Sequence, residues 1–139
     1  MANIVYSYYC FDILHIGHII DLKKAKEVAG ENGTLIIGIL TDEAIMEKKP
    51  KPIISFKERF EIASSIKYAD KVVPQKTYNP LDNLKLFKPD ILMESTSHTQ
   101  KSIDQLTNYM NSIGGRVVMN PYFKEQSSTK IKNLIKNSG

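Results

Sequence analysis

Five short apolar runs, each rich in β-branched residues, alternate with segments of helical periodicity, and this alternation most limits the folds open to the chain. The runs cover residues 4–9, 34–40, 71–73, 91–93 and 116–119. Their lengths suit buried strands better than helices. Strands that alternate with helices form parallel sheets, and right-handed crossovers place helices on both faces. The pattern therefore predicts an α/β fold, a Rossmann-like, doubly wound sheet of five parallel strands.

Apolar residues at helical spacing predict the helices between these runs. The first pattern covers residues 19–29 and ends where Gly30 supplies a C-terminal cap. The second begins at Ser55, which forms a capping-box pattern with Glu58. Further helices are predicted over 81–87 and 102–112, and from about residue 127. Residues 47–54 hold three lysines and two prolines, which predicts a mobile basic loop.

Composition narrows the classes of function. The chain has 139 residues, 42% of them hydrophobic, which predicts one domain over residues 1–139. The net charge of +4 fits an anionic small-molecule substrate, and without a basic stripe we expect no nucleic-acid partner. No apolar stretch reaches the roughly 20 residues that span a membrane, so no membrane partner is expected. The single Cys10 excludes an internal disulfide and, without a signal-peptide pattern, leads us to expect a cytoplasmic protein.

Two histidines follow the first predicted strand, at the edge where doubly wound sheets bind ligands. His15 and His18 lie in the strand-to-helix connection and the first helical turn, where free backbone N–H groups and the helix dipole attract phosphate. Gly17 between them allows close backbone approach. The imidazoles either donate hydrogen bonds to phosphate during phosphoryl transfer or serve packing and capping only. Zinc is not expected, because His98 lies far along the chain and Cys10 belongs to the buried strand.

Four stretches, in order along the chain, resemble the HxGH nucleotidyltransferases and within them the cytidylyltransferase family. They are residues 11–18, which read Phe-Asp-Ile-Leu-His-Ile-Gly-His, and residues 39–43, 67–73 and 127–131. The resemblance includes the enzymes for glycerol 3-phosphate and those of phosphonate biosynthesis. It implies that a phosphate or phosphonate oxygen of a small alcohol attacks the α-phosphate of CTP and releases pyrophosphate. It also implies Mg²⁺ bound with the triphosphate, and a homodimer with residues 67–70 in its interface.

The resemblance further implies roles for individual residues. His15 and His18 would stabilise the phosphates during catalysis, and Lys48 or Lys49 would neutralise the triphosphate from a closing loop. The nucleotide is expected to contact Cys10, Phe11, Gly17, Lys124, Ser127, Ser128 and Thr129. The acceptor is expected to contact Asp12, Asp42, Arg59 and Glu94. Capping or ion pairing within the protein stays open for Asp12, Asp42 and Arg59. No residue is expected to hold a resident metal.

The chain departs from the family's pattern at four places, one of which is Lys67 in the place of an arginine. Tyr9 and Cys10 replace Gly-Thr, and a tyrosine there narrows the pocket or redirects the triphosphate. The run 122–129 lacks the family's arginine and glycine, with Lys124 as a weaker substitute for the arginine. Residues 94–98 replace Gly-Asp-Asp, a change expected to alter acceptor choice most. Two alternatives stay open: an adenylyltransferase acting on flavin mononucleotide or a sugar phosphate, and a nucleotide-binding module without turnover.

Overall fold

Five parallel strands form one sheet in the order β3-β2-β1-β4-β5. The computed structural model describes residues 3–120 and 126–138. The strands are β1 (Ile4–Tyr9), β2 (Thr34–Leu40), β3 (Lys71–Gln75), β4 (Ile91–Ser95) and β5 (Arg116–Asn120). The predicted Rossmann-like α/β fold is therefore confirmed, and the last three strands run one or two residues further than their apolar runs.

The helices between the strands are α1 (Ile16–Ala29), α2 (Asp42–Met46), α3 (Phe56–Ser64), α4 (Leu81–Phe87), α5 (Gln100–Ser112) and α6 (Ser128–Ser138). Ser55 caps α3, and Gly30 ends α1 at a positive φ of 84°, as the sequence predicted. The helix α2 was missed, because five residues are too few to show a helical period. Its signal is Thr41, whose side chain accepts a hydrogen bond from the N–H of Ala44 at 3.2 Å.

Helices cover both faces of the sheet, and each face has its own apolar core. On one face, Leu22 and Ala25 of α1 and Ala63 of α3 pack with side chains of β1, β2 and β4. On the other face, Leu84 of α4 and Leu106 of α5 join a second buried cluster. Because both faces are buried, the central strands are apolar along most of their length, which is why the sequence pattern identified them.

The stretch 47–54 is held at both ends, and its predicted mobility stays a prediction. The N–H groups of Lys48 and Lys49 donate to the carbonyl of Ile45 at 3.1 and 2.9 Å, so both residues extend the last turn of α2. The N–H groups of Ile53 and Ile54 donate to the carboxylate of Asp12 at 3.0 and 2.8 Å. The sequence could not show the second anchor, because its two partners are about forty positions apart.

The order of the strands reverses beside β1, and this reversal positions the site. β1 pairs with β2 on one side and with β4 on the other. Connections from β1 and β4 therefore leave toward opposite faces, and a crevice opens at the carboxyl ends of these strands. Within residues 3–120 and 126–138, no helix is long and apolar enough to cross a membrane.

Candidate active site

A cavity of about 730 Å³ opens at the carboxyl edge of the sheet. Its walls come from the ends of β1 and β4, the start of α1, the stretch after α2, and the start of α6. Ten residues predicted for the site line it: Cys10, Phe11, Asp12, His15, Gly17, His18, Lys49, Ser127, Ser128 and Thr129. The volume suits a nucleotide-sized ligand. Lys124, also predicted here, lies outside the described residues.

The rings of His15 and His18 cap the amino end of α1 by accepting hydrogen bonds from backbone N–H groups of its first turn. Nδ1 of His15 accepts from the N–H of Gly17 at 3.0 Å, and Nδ1 of His18 accepts from the N–H of His15 at 3.2 Å. This is a capping box in which two imidazoles take the places usually held by serine and glutamate. The capping role and the phosphate-binding role, which the sequence presented as alternatives, therefore use different atoms of the same rings.

The capping bonds determine which ring nitrogens face a ligand as donors. A ring nitrogen that accepts from a backbone N–H carries no proton, so a neutral His15 or His18 carries its proton on Nε2. The ring centroids lie 4.0 Å apart, and both residues line the cavity. Each neutral ring therefore carries one N–H donor, and both residues line the cavity beside the positive end of a fourteen-residue helix. Such donors stabilise negative charge on phosphate oxygens.

Burial keeps both histidines neutral in the free protein. Burial, and secondarily the neighbouring His15, lower the pKa of His18 to about 3. Burial also lowers the pKa of His15 below its ordinary value. A proton added to Nδ1 of either ring would oppose the backbone N–H that Nδ1 now accepts, so the capping box disfavours the cationic forms as well.

The turn that leads from β1 to the histidines is held by stacked aromatic rings. Phe11 has a positive φ of 58° and is fully buried. Its ring stacks on Tyr9 at 4.9 Å between centroids and meets His18 edge-on, also at 4.9 Å. A left-handed backbone costs a non-glycine residue about 1–3 kcal/mol, and packing on both sides offsets this cost. Tyr9, in the place of the family's glycine, therefore lines the cavity and supports the turn.

Asp12 connects three segments of the chain at the rim of the cavity. Its carboxylate accepts from the N–H groups of Ile53 and Ile54 and forms an ion pair with Lys132 of α6. Burial alone would raise the pKa of Asp12, but these bonds outweigh burial and hold the pKa below its ordinary value. No hydrogen bond joins Asp12 to either histidine among the described residues. Its role in acceptor binding stays a prediction, and its role in holding the rim is observed.

Arg59 and Asp42 lie behind the wall of the cavity, which corrects their expected contact with the acceptor. Arg59 is fully buried, and its guanidinium donates to the carbonyls of Ile54 and Cys10 and to Asp42 at 2.7–2.9 Å. All three nitrogens are therefore used within the protein. The two residues position the end of β1 against α2 and the stretch before α3, the ion-pair alternative that the sequence left open.

Glu94 and His98 show a second correction. The side chain of Glu94 is fully buried and reaches the cavity only through its hydrogen-bond partners, which include Tyr8 and His98. His98, dismissed from the sequence because of its distance along the chain, lines the same cavity as His15 and His18. The sequence places β4 far from β1, and only the pairing of these two strands brings His98 to the site.

The lysine pair after α2 lies around one tyrosine. Nζ of Lys48 is 5.3 Å from the ring centroid of Tyr78, and Nζ of Lys49 is 6.0 Å away. Lys49 and Tyr78 line the cavity, whereas Lys48 does not. Of the two lysines, Lys49 is therefore the one that can meet a bound anion without a rearrangement. The ammonium of Lys48 lies over the aromatic ring, and the predicted role of this residue stays a prediction.

The start of α6 forms the wall of the cavity that faces the histidines' loop. Ser127 caps α6 by accepting from the N–H of Lys130 at 3.0 Å, and the hydroxyl of Ser128 donates to the carbonyl of Ile13 at 2.8 Å. Lys132, which sequence reasoning missed, lies one turn after Ser128 and lines the cavity. The spacing of four residues was the available signal.

The remaining polar groups of the wall leave no preformed metal site. Within the described residues, no three His, Cys, Asp or Glu side chains form a group that could hold a metal ion. Asp21 of α1 also lines the cavity, and burial raises its pKa to about 6 despite the opposing effect of Lys24. Burial raises the pKa of the Cys10 thiol as well, which argues against a nucleophilic thiolate.

Comparison with known proteins decides the family. The profile of the family described as cytidylyltransferase-like matches residues 9–134. The chain belongs to the cytidylyltransferase-like family. This membership confirms the enzyme class expected from the sequence, a nucleotidyltransferase.

Individual relatives are longer than this chain. The bifunctional protein HldE of Syntrophotalea carbinolica is 31% identical over 131 residues, which cover 93% of this chain and 26% of HldE. The FAD synthase of Methanopyrus kandleri is 34% identical over 83 residues, which cover 60% of this chain and 55% of that protein. The chain thus spans about a quarter and just over half of these relatives.

A solved structure shows the same fold. The lipopolysaccharide core biosynthesis protein from Thermoplasma volcanium GSS1 matches with a TM-score of 0.75 at 23% identity, over 91% of this chain and all of that one. At this identity the comparison establishes a shared fold and says nothing about individual side chains.

A pH-dependent contribution to stability follows from the neutral His18. Unfolded His18 takes up a proton below about pH 6.5, and folded His18 does so only near pH 3. Between these values the unfolded state binds more protons, so stability is lost as the pH falls. We expect His18 to lower the free energy of unfolding by about 2 kcal/mol between pH 7.5 and 5.

Urea denaturation of the wild type and of His18→Asn at both pH values measures this contribution. Asparagine keeps an acceptor for the N–H of His15, so the helix cap survives. The titration of Asp21 is common to both proteins and cancels in the difference. An equal pH slope for both proteins would contradict a buried, neutral His18.

The rim held by Asp12 gives a second prediction. Asp12→Asn removes the charge that Lys132 pairs with and weakens the bonds from Ile53 and Ile54. We expect the amides of Ile53 and Ile54 to exchange with solvent at least about tenfold faster, a change of about 1.4 kcal/mol in local opening. Hydrogen-exchange NMR measures the rates, with the amides of β2 as the internal control. Unchanged protection of both amides would show that Asp12 does not anchor this stretch.

Proposed function

We propose that the cavity transfers a nucleotidyl group from a nucleoside triphosphate to a phosphate or phosphonate oxygen of a small acceptor. The observation that carries the proposal is the pair of Nε2–H donors of His15 and His18, which the capping box aims from the amino end of α1. A second helix, α6, also begins at the cavity, where it contributes hydroxyl groups and Lys132. Both features favour a polyphosphate between them.

The reaction needs positioning and charge stabilisation more than proton transfer. An acceptor oxygen attacks the α-phosphorus and forms a new P–O bond, while the bond from the α-phosphorus to the bridging oxygen breaks. The electron pair of that bond leaves with pyrophosphate. His15 and His18 donate to phosphate oxygens on which charge grows, and Lys49 neutralises the departing pyrophosphate.

Mg²⁺ fits this site as a companion of the nucleotide. Nucleotidyltransferases generally use a divalent metal with the triphosphate. The described residues offer no cluster of metal ligands, and both oxygens of Asp12 are already engaged. Phosphate oxygens and water, the ligands that Mg²⁺ prefers, would therefore hold the ion. When bound, the ion would supply charge neutralisation, and no protein carboxylate is assigned to it.

The proposed nucleotide is CTP, and the proposed acceptor is a small phosphate- or phosphonate-bearing alcohol such as glycerol 3-phosphate. Support for CTP is the match to the cytidylyltransferase-like family and the resemblance of residues 11–18 and 127–131. ATP is the second candidate, because the chain is 34% identical to a FAD synthase over 83 residues, and FAD joins an adenylyl group to a flavin phosphate. A module without turnover is the third.

A panel assay tests the proposal. Pyrophosphate release is followed with CTP and separately with ATP, each with Mg²⁺ and with glycerol 3-phosphate, a hydroxyalkylphosphonate, a sugar 1-phosphate or flavin mononucleotide. The proposal expects pyrophosphate only when an acceptor is present, and more of it from CTP. Greater release from ATP would show that the protein transfers an adenylyl group and not a cytidylyl group. If no pair of nucleotide and acceptor released pyrophosphate, the remaining candidate would be a nucleotide-binding module without turnover.

The histidine donors give the matching mutational prediction. His15→Asn and His18→Asn keep the capping acceptors but remove the Nε2–H donors. We expect each to lower kcat by roughly 100-fold to 1,000-fold, the usual cost of one donor that stabilises transition-state charge. Lys85→Gln, on α4 away from the cavity, is the control and should retain full activity. Wild-type kcat in both histidine variants would remove the histidines from the mechanism.

We also propose a homodimer. Asp70, in the segment first expected at the interface, pairs with Lys26 of its own chain at 2.6 Å. A better-supported surface is α6, where Leu134 and Ile135 are 68% and 63% exposed and no side chain is buried. We expect light scattering to give twice the chain mass, and Leu134→Glu to halve it. A monomeric wild type at 50 µM would contradict the proposal.

A further inference from the structure

A buried carboxylate holds the third histidine of the cavity. Oε1 of Glu94 accepts from the N–H of Ser95 at 2.8 Å and from Nδ1 of His98, and Oε2 accepts from the hydroxyl of Tyr8 at 2.8 Å. Burial, and secondarily Glu94, raise the pKa of Tyr8, so its hydroxyl stays protonated and remains a donor. The carboxylate thus accepts three hydrogen bonds, and because it is buried, the loss of any one donor would destabilise it.

These contacts determine the tautomer of His98. A carboxylate only accepts, and the Tyr8 hydroxyl, 2.8 Å from Oε2 of Glu94 and 3.1 Å from Nδ1 of His98, gives its one proton to the nearer Glu94. The hydrogen between His98 and Glu94 therefore belongs to Nδ1. A neutral His98 therefore has a lone pair on Nε2. No described residue forms a hydrogen bond with this Nε2, and His98 lines the cavity. His15 and His18 carry the opposite tautomer.

The ring of His98 is fixed by two tyrosines. It stacks on Tyr8 with centroids 5.6 Å apart and meets Tyr78 edge-on at 6.4 Å. Its neighbours Ser95 and Ser97, whose hydroxyls are 2.8 Å apart, also line the cavity. The segment after β4 therefore presents an oriented hydrogen-bond acceptor beside two hydroxyl groups.

We propose that His98 is a specificity-determining residue that accepts a hydrogen bond from a hydroxyl group of the acceptor substrate, with Glu94 as its positioning residue. This inference rests on the proposed function and narrows the acceptor to a hydroxyl-bearing phosphate or phosphonate. The three histidines of the cavity then bind different substrates. Two N–H donors bind the triphosphate, and one oriented lone pair binds the acceptor.

Charge near His98 argues against a cationic acceptor such as a trimethylammonium phosphate. Such head groups bind to aromatic faces. Nζ of Lys48 and of Lys49 already lie over the ring of Tyr78, so a further cation there would meet two like charges. Among the described residues at the rim and after β4, neither Glu94 nor Asp12 offers an unpaired carboxylate to a cation, since Glu94 is fully buried and Asp12 pairs with Lys132.

Tautomer spectroscopy tests the premise without any substrate. The chain contains only three histidines, so long-range ¹H–¹⁵N correlation spectra of labelled protein at pH 7.5 resolve each ring. His98→Leu, His15→Asn and His18→Asn assign the signals. We expect the proton on Nε2 for His15 and His18, and on Nδ1 for His98. A signal showing His98 with its proton only on Nε2 would overturn the inference, because no lone pair would then face the cavity.

Matched acceptors test the role in specificity. Glycerol 3-phosphate and n-propyl phosphate differ in two hydroxyl groups and share the nucleophile. For the wild type we expect kcat/KM to favour glycerol 3-phosphate by about 10-fold to 100-fold, the usual cost of leaving a desolvated acceptor without its donor. His98→Leu should reduce this ratio to below about 3 and leave the KM of the nucleotide unchanged. Glu94→Gln should reduce the ratio partly, and Glu94→Asp should retain more of the wild-type ratio than Glu94→Gln does.

The outcomes separate this inference from the proposed function. If the wild type releases pyrophosphate but His98→Leu keeps the same preference between the two phosphates, the inference fails and the function stands. A preference for phosphocholine over glycerol 3-phosphate would also overturn it. If no acceptor supports release, the proposed function fails, and the inference about the acceptor falls with it even where the tautomer is as expected.

Discussion

The hydrogen bonds from the N–H groups of His15 and Gly17 to the rings of His18 and His15 are the interaction on which the site depends. A helix that starts at the carboxyl edge of a sheet has free N–H groups that need acceptors. In this chain imidazole nitrogens supply two of them. The same bonds choose the tautomers, keep the rings neutral and leave their other nitrogens as donors to the cavity. The arrangement that forms the helix is thus also the one proposed to bind phosphate.

The cap works only because the surrounding chain holds the turn before it. Phe11 carries the unfavourable positive φ that brings the chain from β1 to the helix, and Tyr9 and His18 pack against its ring. Behind the turn, Arg59 uses its whole guanidinium on protein acceptors. At the rim, Asp12 joins the stretch before α3 to α6. Two ion pairs, Arg59 with Asp42 and Asp12 with Lys132, therefore give the cavity its shape, and the residues of the first pair do not line it.

Local signals in the sequence predicted the parts of this arrangement that depend on neighbours in the chain. β-branched runs identified the strands, Ser55 and Gly30 identified helix ends, and the spacing of His15 and His18 identified the start of the site. Contacts between distant segments had no such signal. The pair of Asp12 and Lys132 spans 120 positions, and His98 reaches the cavity only because β4 lies beside β1. The sequence singled out Arg59, but it could not show whether the guanidinium contacts a ligand or the protein, because that depends on packing.

The most direct test of the account is the fate of each phosphorus atom of the nucleotide. CTP labelled with ³²P at either the α or the γ position is incubated with the protein, Mg²⁺ and glycerol 3-phosphate, and the products are separated. The account predicts α label in a cytidylyl-acceptor product and γ label in pyrophosphate, in equal amounts. Label from the γ position in inorganic phosphate or in the acceptor, with the α label retained in CDP, would contradict nucleotidyl transfer.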